Sequence, residues 1–411
     1  MTGNKFSIFV PHASDFLTNH RSHGDGLTAF GFISRLAARG HMLHVAAPEM
    51  DIKGDLPANI RLYPIKTLAK SMILHRLEYM LRSRLLLNRL RRAGQDDSPI
   101  DVIHQLNPVN KGLSLAMLGS GLPVVLGVIV PGWPQDAEEG SVKQPIWKQL
   151  IEGLKMWCKR RLLTLQQWQA SALLIATPAA RGDLHRAERV EHKIVQLPLG
   201  VDTARFHPAE DSEEGTADGP NILFLANLWR RKGIFTLLDA FAQVAEEIPT
   251  CRLTIAGGGG ELEEVERRIA ASPHRDRIRM LGPVERDRTP ELMRNCTVYC
   301  LPAYGEPFAN SVLEALASGR PIVATNAGGI KEMIPDGGGR KVPPRDANAL
   351  AEALIEVLGS PELQTEMGRC NRRKAEQFFA WDRVIDRLEA VYGQLMATQH
   401  QQQEAPSPQT Y

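Results

Sequence analysis

The sequence predicts an α/β protein of two domains, each built on a parallel sheet. Short apolar runs recur along the whole chain with amphipathic helical stretches between them, the rhythm of strands covered on both faces by helices. That rhythm is interrupted at residues 209–219, which hold five acidic residues, no basic one and two glycines. Such a composition reads as a solvated loop rather than a core element. A chain of 411 residues, 43% apolar and 23% charged, is long enough for two cores of ordinary size.

In chain order, Lys5–Val10 is the first expected strand and Met42–Ala47 the second, with a helix between them whose Leu27, Phe30, Ile33, Leu36 and Ala37 share one face. Gly24-x-Gly26-x-x-Ala29, with Glu49 after the second strand, invites a dinucleotide-binding reading. These glycines stand more than a tight turn beyond the first strand, so that reading is set aside. Residues 66–92 are leucine-rich and carry eight Lys/Arg against Glu78 alone, and residues 142–168 form a second basic helical stretch. Each reads either as a surface helix with a buried stripe or as a helix lying on an anionic bilayer. No nucleic-acid-binding motif accompanies the charge. Pro99–Leu106, Leu122–Val130, Ala172–Thr177 and Lys193–Pro198 complete the strands of the first half.

The second half opens with the strand Asn221–Ala226, the turn NLWRRKG and the helix Ile234–Ala245. The strand Arg252–Ala256 runs into Gly257–Gly260 and a helix, an arrangement that bares backbone N–H groups at a positive helix end. Ile278–Val284 and Val298–Pro302 are strands, and two helices are expected after Asp336. The last of these carries Trp381, Val384, Ile385, Leu388, Val391, Tyr392 and Leu395 at helical spacing. The expected division is 1–200, a hinge and loop at 201–220, 221–380, a final helix at 381–398 and a structureless tail at 399–411. Five cysteines without paired spacing, Cys296 and Cys300 among them, read as thiols of a reducing compartment. No leader and no membrane-spanning run is visible in the sequence. Residues 1–200 hold 25 basic and 16 acidic residues, residues 201–411 hold 24 and 31, so the halves carry +9 and −7.

The chemistry concentrates between Tyr304 and Gly319, YGEPFANSVLEALASG. Glu306 and Glu314 flank the expected start of a helix, with Pro307 suited to its first position. The free N–H groups of that helix end, near Phe308, Ala309, Asn310 and Ser311, suit an anion. A carboxylate among Val312, Leu313, Ala315 and Leu316 needs a partner such as a pair of hydroxyls. An acidic first turn also favours the helix dipole without any ligand.

This run, with GRPIVATNAGGIKEMI after it, resembles the donor-binding segment of glycosyltransferase family 4, the retaining sugar transferases of GT-B fold. The hinge LPLGVDTARFHP, with Gly200, Val201, Asp202 and Phe206, is similar to that of the family. The resemblance implies two Rossmann-like domains facing each other across a cleft, with the last helix crossing back onto the first domain. It implies that Glu314 binds the ribose hydroxyls, Glu306 the donor sugar, and the amides of Ala309 to Val312 the phosphates. Lys232 becomes the main cation on the departing diphosphate. Asn227 stands where the family usually has an arginine, and Arg231 or Arg230 could supply the missing charge. The base is expected at the strand edge by Val284, and phosphate near Gly258. Gly24 and Gly26 match a loop that closes over donor and acceptor, and Trp133 offers a stacking surface for a sugar. Ile129 stands where many members have a histidine, leaving His104 as the substitute for a catalytic histidine.

The activity implied is transfer of a hexose from a UDP- or GDP-sugar to a carbohydrate or lipid-linked acceptor, in the cytoplasm or on the inner face of a membrane. No cofactor is expected, and no two aspartates stand two apart to hold a metal. A nucleotide-sugar epimerase and a non-catalytic nucleotide-sugar sensor of the same fold are the alternatives.

Overall fold

The computed structural model describes residues 4–21, 24–69, 71–93, 99–106, 113–133, 146–209 and 219–404. The first domain runs through β1 (Ser7–Val10), β2 (Phe16–Thr18), α1 (Gly24–Ala38), β3 (Met42–Ala47), β4 (Glu49–Asp51), β5 (Ile60–Pro64), α2 (Met72–Ala93), β6 (Val102–Gln105), β7 (Val124–Ile129), α3 (Ile146–Gln169), β8 (Ala172–Ile175) and β9 (Ile194–Gln196). Seven of these strands form a parallel sheet in the order β5-β3-β1-β6-β7-β8-β9, and β2 pairs with β4 apart from it. The strands β1, β6 and β8 are buried throughout, as strands covered on both faces must be. One face of the sheet packs Phe32, Ile33 and Leu36 of α1; the other packs Leu87 of α2 together with Met117 and Ala170.

The second domain runs through β10 (Asn221–Leu225), α4 (Ile234–Glu247), β11 (Arg252–Ala256), α5 (Leu262–Ala271), β12 (Ile278–Gly282), α6 (Thr289–Arg294), β13 (Val298–Leu301), α7 (Asn310–Ala317), β14 (Ile322–Thr325), α8 (Ile330–Met333), β15 (Gly339–Val342), α9 (Ala347–Leu358) and α10 (Pro361–Lys374). Its sheet is again parallel, in the order β12-β11-β10-β13-β14-β15. Cys296 and Cys300 lie in its core, where burial pushes the Cys296 thiol up to about 12. This is the GT-B plan of two Rossmann-like domains.

The last helix, α11 (Trp381–Glu404), crosses back onto the first domain. Arg39 reaches Asp386 at 2.8 Å and His41 reaches Glu389 at 2.7 Å. The two interdomain passages pair where they cross: Val201 donates to the Phe379 carbonyl at 2.7 Å, and Trp381 donates to the Val201 carbonyl at 3.2 Å. The Trp381 indole is wedged between Gly31 and Gly200. A Cβ at Gly31 would lie 2.6 Å from the ring and one at Gly200 would lie 2.2 Å from it, so both positions need glycine for close approach.

Several expectations need correction. The helix after Glu306 begins at Asn310, not Pro307, so Glu306 lies in a loop four residues before it. Gly305, at φ 151°, turns that loop. Three helices follow Asp336 rather than two, because Ser360 caps a fresh start at Pro361, and the short polar strand β15 was not expected. The edge strand β5 was also unforeseen, because its IRLYP mixes polar and apolar residues without a buried run. The final helix extends to Glu404, through residues expected to be structureless. The rest of that tail, most of the acidic loop and residues 142–145 lie outside the described residues.

Candidate active site

The site is assembled at the C-terminal ends of the parallel strands, where the two domains meet. After β10 the chain makes a single 3-10 turn, Arg230–Lys232, closed by Gly233 at φ 77°. A Cβ at Gly233 would fall 1.9 Å from the Pro302 carbonyl, so this glycine lets the turn sit directly on the loop after β13. That seating brings Lys232 onto Glu306 as a hydrogen-bonded ion pair, with Glu306 4% exposed. Burial pushes the Glu306 carboxyl up, while Lys232 and then Arg231 draw it back; the net position is above the ordinary value. The Glu306 carbonyl accepts from Gly329, so the turn Gly328–Gly329 braces the loop from behind.

Trp133 comes to this pair from the first domain. Its ring centre is 4.5 Å from the Arg231 guanidinium carbon and 5.1 Å from the Lys232 ammonium. Arg230 points away, toward Glu261 at 3.7 Å and the Phe235 ring at 4.8 Å. Of the two arginines open at the sequence level, Arg231 is the one that faces the pair. Asn227 is exposed and carries no charge into the site.

α7 points its N-terminus into the crevice without a side-chain cap. Ser311 accepts from the buried Tyr299 hydroxyl at 2.7 Å, which fixes the first turn on β13. Val312 is corrected as a phosphate ligand. Its amide donates to the Ala309 carbonyl at 3.1 Å and its side chain is fully buried, so Ala309, Asn310 and Ser311 hold the remaining amides of the expected set.

Two cavities of about 460 and 310 Å³ flank this helix end, and both are lined by Thr28 of the first domain and Asn310 of the second. They are two parts of one interdomain crevice. The larger holds Gly24, Ile129, Trp133 and Phe308; the smaller holds Glu314, Arg35, Arg205 and Arg286. Burial pushes the Glu314 carboxyl up to about 7, against the pull of Arg286 and then Arg205. Glu314 lines the smaller cavity, while the Lys232–Glu306 pair meets the larger one through Trp133, whose ring lies over Lys232.

His104 is corrected. It is 0% exposed, with Nε2 2.9 Å from the Gly127 carbonyl and Nδ1 2.5 Å from the Tyr392 hydroxyl. A carbonyl only accepts, so Nε2 carries the hydrogen and Nδ1 accepts from Tyr392. Burial lowers its pKa to about 4. This histidine is a neutral tie between β6 and α11, without access to the crevice. Gly24 and Gly26 lie in the first turn of α1 rather than in a mobile loop, and only Gly24 lines the crevice. The Gly257–Gly260 run has a packing reason for its glycines: Cβ atoms at Gly257 and Gly259 would fall 1.9 Å from the Ala226 carbonyl and 2.5 Å from the Leu228 carbonyl. Gly258 packs on Pro283, beside Val284 at the sheet edge.

Arg35, Arg205 and Arg286 were missed by sequence reasoning. Arg205 sits inside the hinge motif and Arg286 two residues past Val284, and no periodicity links either to Glu314.

Residues 208–374 match the family model of the glycosyl transferases group 1. The chain is 28% identical over 310 residues to an MMP α-(1→4)-mannosyltransferase of Mycolicibacterium hassiacum, covering 72% of this chain and 71% of that one. It is 32% identical over 202 residues to a phosphatidyl-myo-inositol mannosyltransferase of Mycolicibacterium smegmatis, covering 48% and 51%. It spans about half the length of several of the curated relatives it matches. Its fold is shared with Anabaena HepE, solved in complex with UDP, at a TM-score of 0.70 and 18% identity over 95% of this chain and 100% of that one. The family match falls on the second domain, which is similar to the group 1 glycosyl transferases, and the fold of both domains is that of the GT-B structures.

Proposed function

We propose that the protein is a retaining hexosyltransferase. It takes the sugar from a UDP- or GDP-sugar and passes it to a carbohydrate or lipid-linked acceptor, without a metal, on the cytoplasmic side of a membrane. The observation that carries this reading is the Lys232–Glu306 ion pair, its carboxylate buried, with Arg231 beside it and the Trp133 ring of the other domain over both cations. The relatives' names add support, being those of sugar transferases, and the HepE structure contains UDP.

In this reading the diphosphate lies along Lys232, Arg231 and the first amides of α7. Negative charge grows on its sugar-bound oxygen as the bond to the anomeric carbon breaks, and these donors meet it. The acceptor oxygen bonds to that carbon from the same face, and its proton passes to the leaving phosphate oxygen. Glu306 holds the sugar hydroxyls and Glu314 the ribose. The acceptor enters from the larger cavity, where Trp133 presents its ring.

The test is incubation with a panel of UDP- and GDP-sugars, with and without acceptor glycans, following release of nucleoside diphosphate. Acceptor-dependent release is the expected result, and Lys232→Ala should lower kcat far more than it raises KM. Altered sugar with no diphosphate released marks an epimerase; donor binding without turnover marks a sensor. Either outcome overturns the proposal.

A further inference from the structure

Leu199 faces the crevice, and its neighbour Pro198 lines another cavity, of about 200 Å³, that shares no lining residue with the crevice. Three walls enclose it. Ala176 and Pro198, just past the ends of β8 and β9, come from the first domain, and Met333 of α8 comes from the second. The third wall is the passage from α10 into α11, with Phe378 and Phe379. That passage, Ala375–Phe379, is a π-helical turn, a widening of the helix that recurs at functional sites.

Two cations of this cavity rest on one aromatic ring. The Lys374 ammonium lies 3.7 Å from the centre of the Phe378 ring, and the Arg387 guanidinium carbon lies 4.8 Å from it. Among the described residues neither cation has a carboxylate within ion-pair distance. Arg387 donates to the Gln377 and Phe378 carbonyls through long bonds of 3.4 and 3.5 Å. Burial, and then the repulsion of Arg387, lower the pKa of Lys374. Like charges this close oppose one another unless an anion joins them. Glu332 lines the cavity but is engaged elsewhere, its Oε2 accepting from the Ala179 amide at 3.0 Å. Thr177, also in the lining, is 3% exposed, and its hydroxyl has no hydrogen-bond partner among the described residues.

We propose that this cavity at the interdomain passage binds a small organic phosphate, with the phosphate on Lys374 and Arg387 and the apolar body against Ala176, Pro198, Met333 and Phe379. The guanidinium fork and the ammonium give the phosphate oxygens charge-assisted hydrogen bonds. The cavity is smaller than the roughly 300 Å³ at which pockets for drug-sized molecules begin, which limits the body to about one ring. Each domain and the passage supply a wall, so the ligand is fully held only while all three stand together. Its occupancy therefore favours that interdomain arrangement, as a brace on domain movement. The site shares nothing with the crevice, and its test needs no turnover, so failure of this inference leaves the proposed function standing.

The experiment is calorimetric titration of the full chain with phenyl phosphate, inorganic phosphate and phenol. Phenyl phosphate is expected to bind the wild type, and Lys232→Ala in the crevice should leave that binding unchanged. The double variant Lys374→Ala/Arg387→Ala should weaken it at least about tenfold. Inorganic phosphate, which lacks the apolar body, should bind at least about threefold more weakly than phenyl phosphate, and phenol should not bind. The double variant removes a repelling pair, so its melting temperature without ligand should not fall, which reports folding; Lys374→Gln alone gives a second, milder reading of the same loss. Absence of binding by the wild type overturns the proposal, as does equal affinity in wild type and variants. Binding lost in Lys232→Ala would place the phosphate in the crevice and overturn it too. Inorganic phosphate held as tightly as phenyl phosphate would leave a bare anion contact in place of the proposed site.

Discussion

The ring of Trp133 stands 5.1 Å from the ammonium of Lys232, so a first-domain aromatic rests on the cation to which the proposed function assigns the diphosphate. A ligand phosphate arriving at Lys232 changes the field at the indole. Addition of UDP or GDP should therefore change the intrinsic fluorescence of the wild type, and Trp133→Leu should lose most of that change. An undiminished signal in the variant would separate Trp133 from the phosphate site.

Arg231 and Arg230 are neighbours in sequence with opposite surroundings. Arg231 lies on the Trp133 ring and acts on Glu306, whereas Arg230 is half exposed and turned to Glu261. A hydrogen bond to a charged group contributes about 1.5–3 kcal/mol. Arg231→Ala should accordingly lower kcat/KM by roughly ten- to 150-fold. Arg230→Ala should stay within about twofold, as exposed ion pairs contribute little. Steady-state kinetics on the two variants, side by side, checks the assignment; equal losses would refute it.

Much of the crevice was legible in the chain, and what was not has identifiable physical causes. Glu306 and Glu314 were marked by their spacing around an expected helix start, and Lys232 by the resemblance and the need for a cation on a departing diphosphate. Arg205 and Arg286 were not readable, because their approach to Glu314 is set by how the hinge and the sheet edge fold over α7. His104 misled because a strand end looks alike whether its side chain turns to the crevice or to α11. On α2 the positive charge was plain in the sequence. The outward leucines Leu77, Leu81 and Leu85 were not, because a helix apolar on two sides shows no single period, and only its contacts with the sheet decide which stripe is buried.

Glu314 gives a pH dependence with a definite sign. Its carboxyl is raised by burial to about 7 in the folded protein and titrates near 4.5 when unfolded. Between those values the folded state holds one extra proton, so stability falls as pH rises through that window and is level above it. In Glu314→Gln this slope disappears. The melting temperature of the ligand-free variant should thus gain on the wild type from pH 4.5 to 7 and hold the gain beyond. Ribose hydroxyls donating to the carboxylate favour its ionised form, so nucleotide affinity in the wild type should rise between about pH 6 and 8. Glu314→Ala should weaken donor binding roughly ten- to 150-fold. Titrations across pH test both, and a flat wild-type profile would remove the ribose role.

His104 and Tyr392 predict a structural effect separable from catalysis. The ring is neutral in the fold, its pKa lowered by burial to about 4, while the unfolded chain protonates it near 6.5. The stability it contributes is whole above 6.5, is lost as pH falls toward 4, and changes no further below. His104→Gln should flatten that part of the stability profile. Tyr392→Phe deletes the hydroxyl that donates to Nδ1 and should lower stability by about 1 kcal/mol, loosening α11 from β6. Neither residue reaches the crevice, so the folded variants should keep wild-type kcat at neutral pH, with its pH profile unchanged. A histidine serving as catalytic base would give the reverse: a large fall in kcat and a shifted acid limb, with the melting curve scarcely moved.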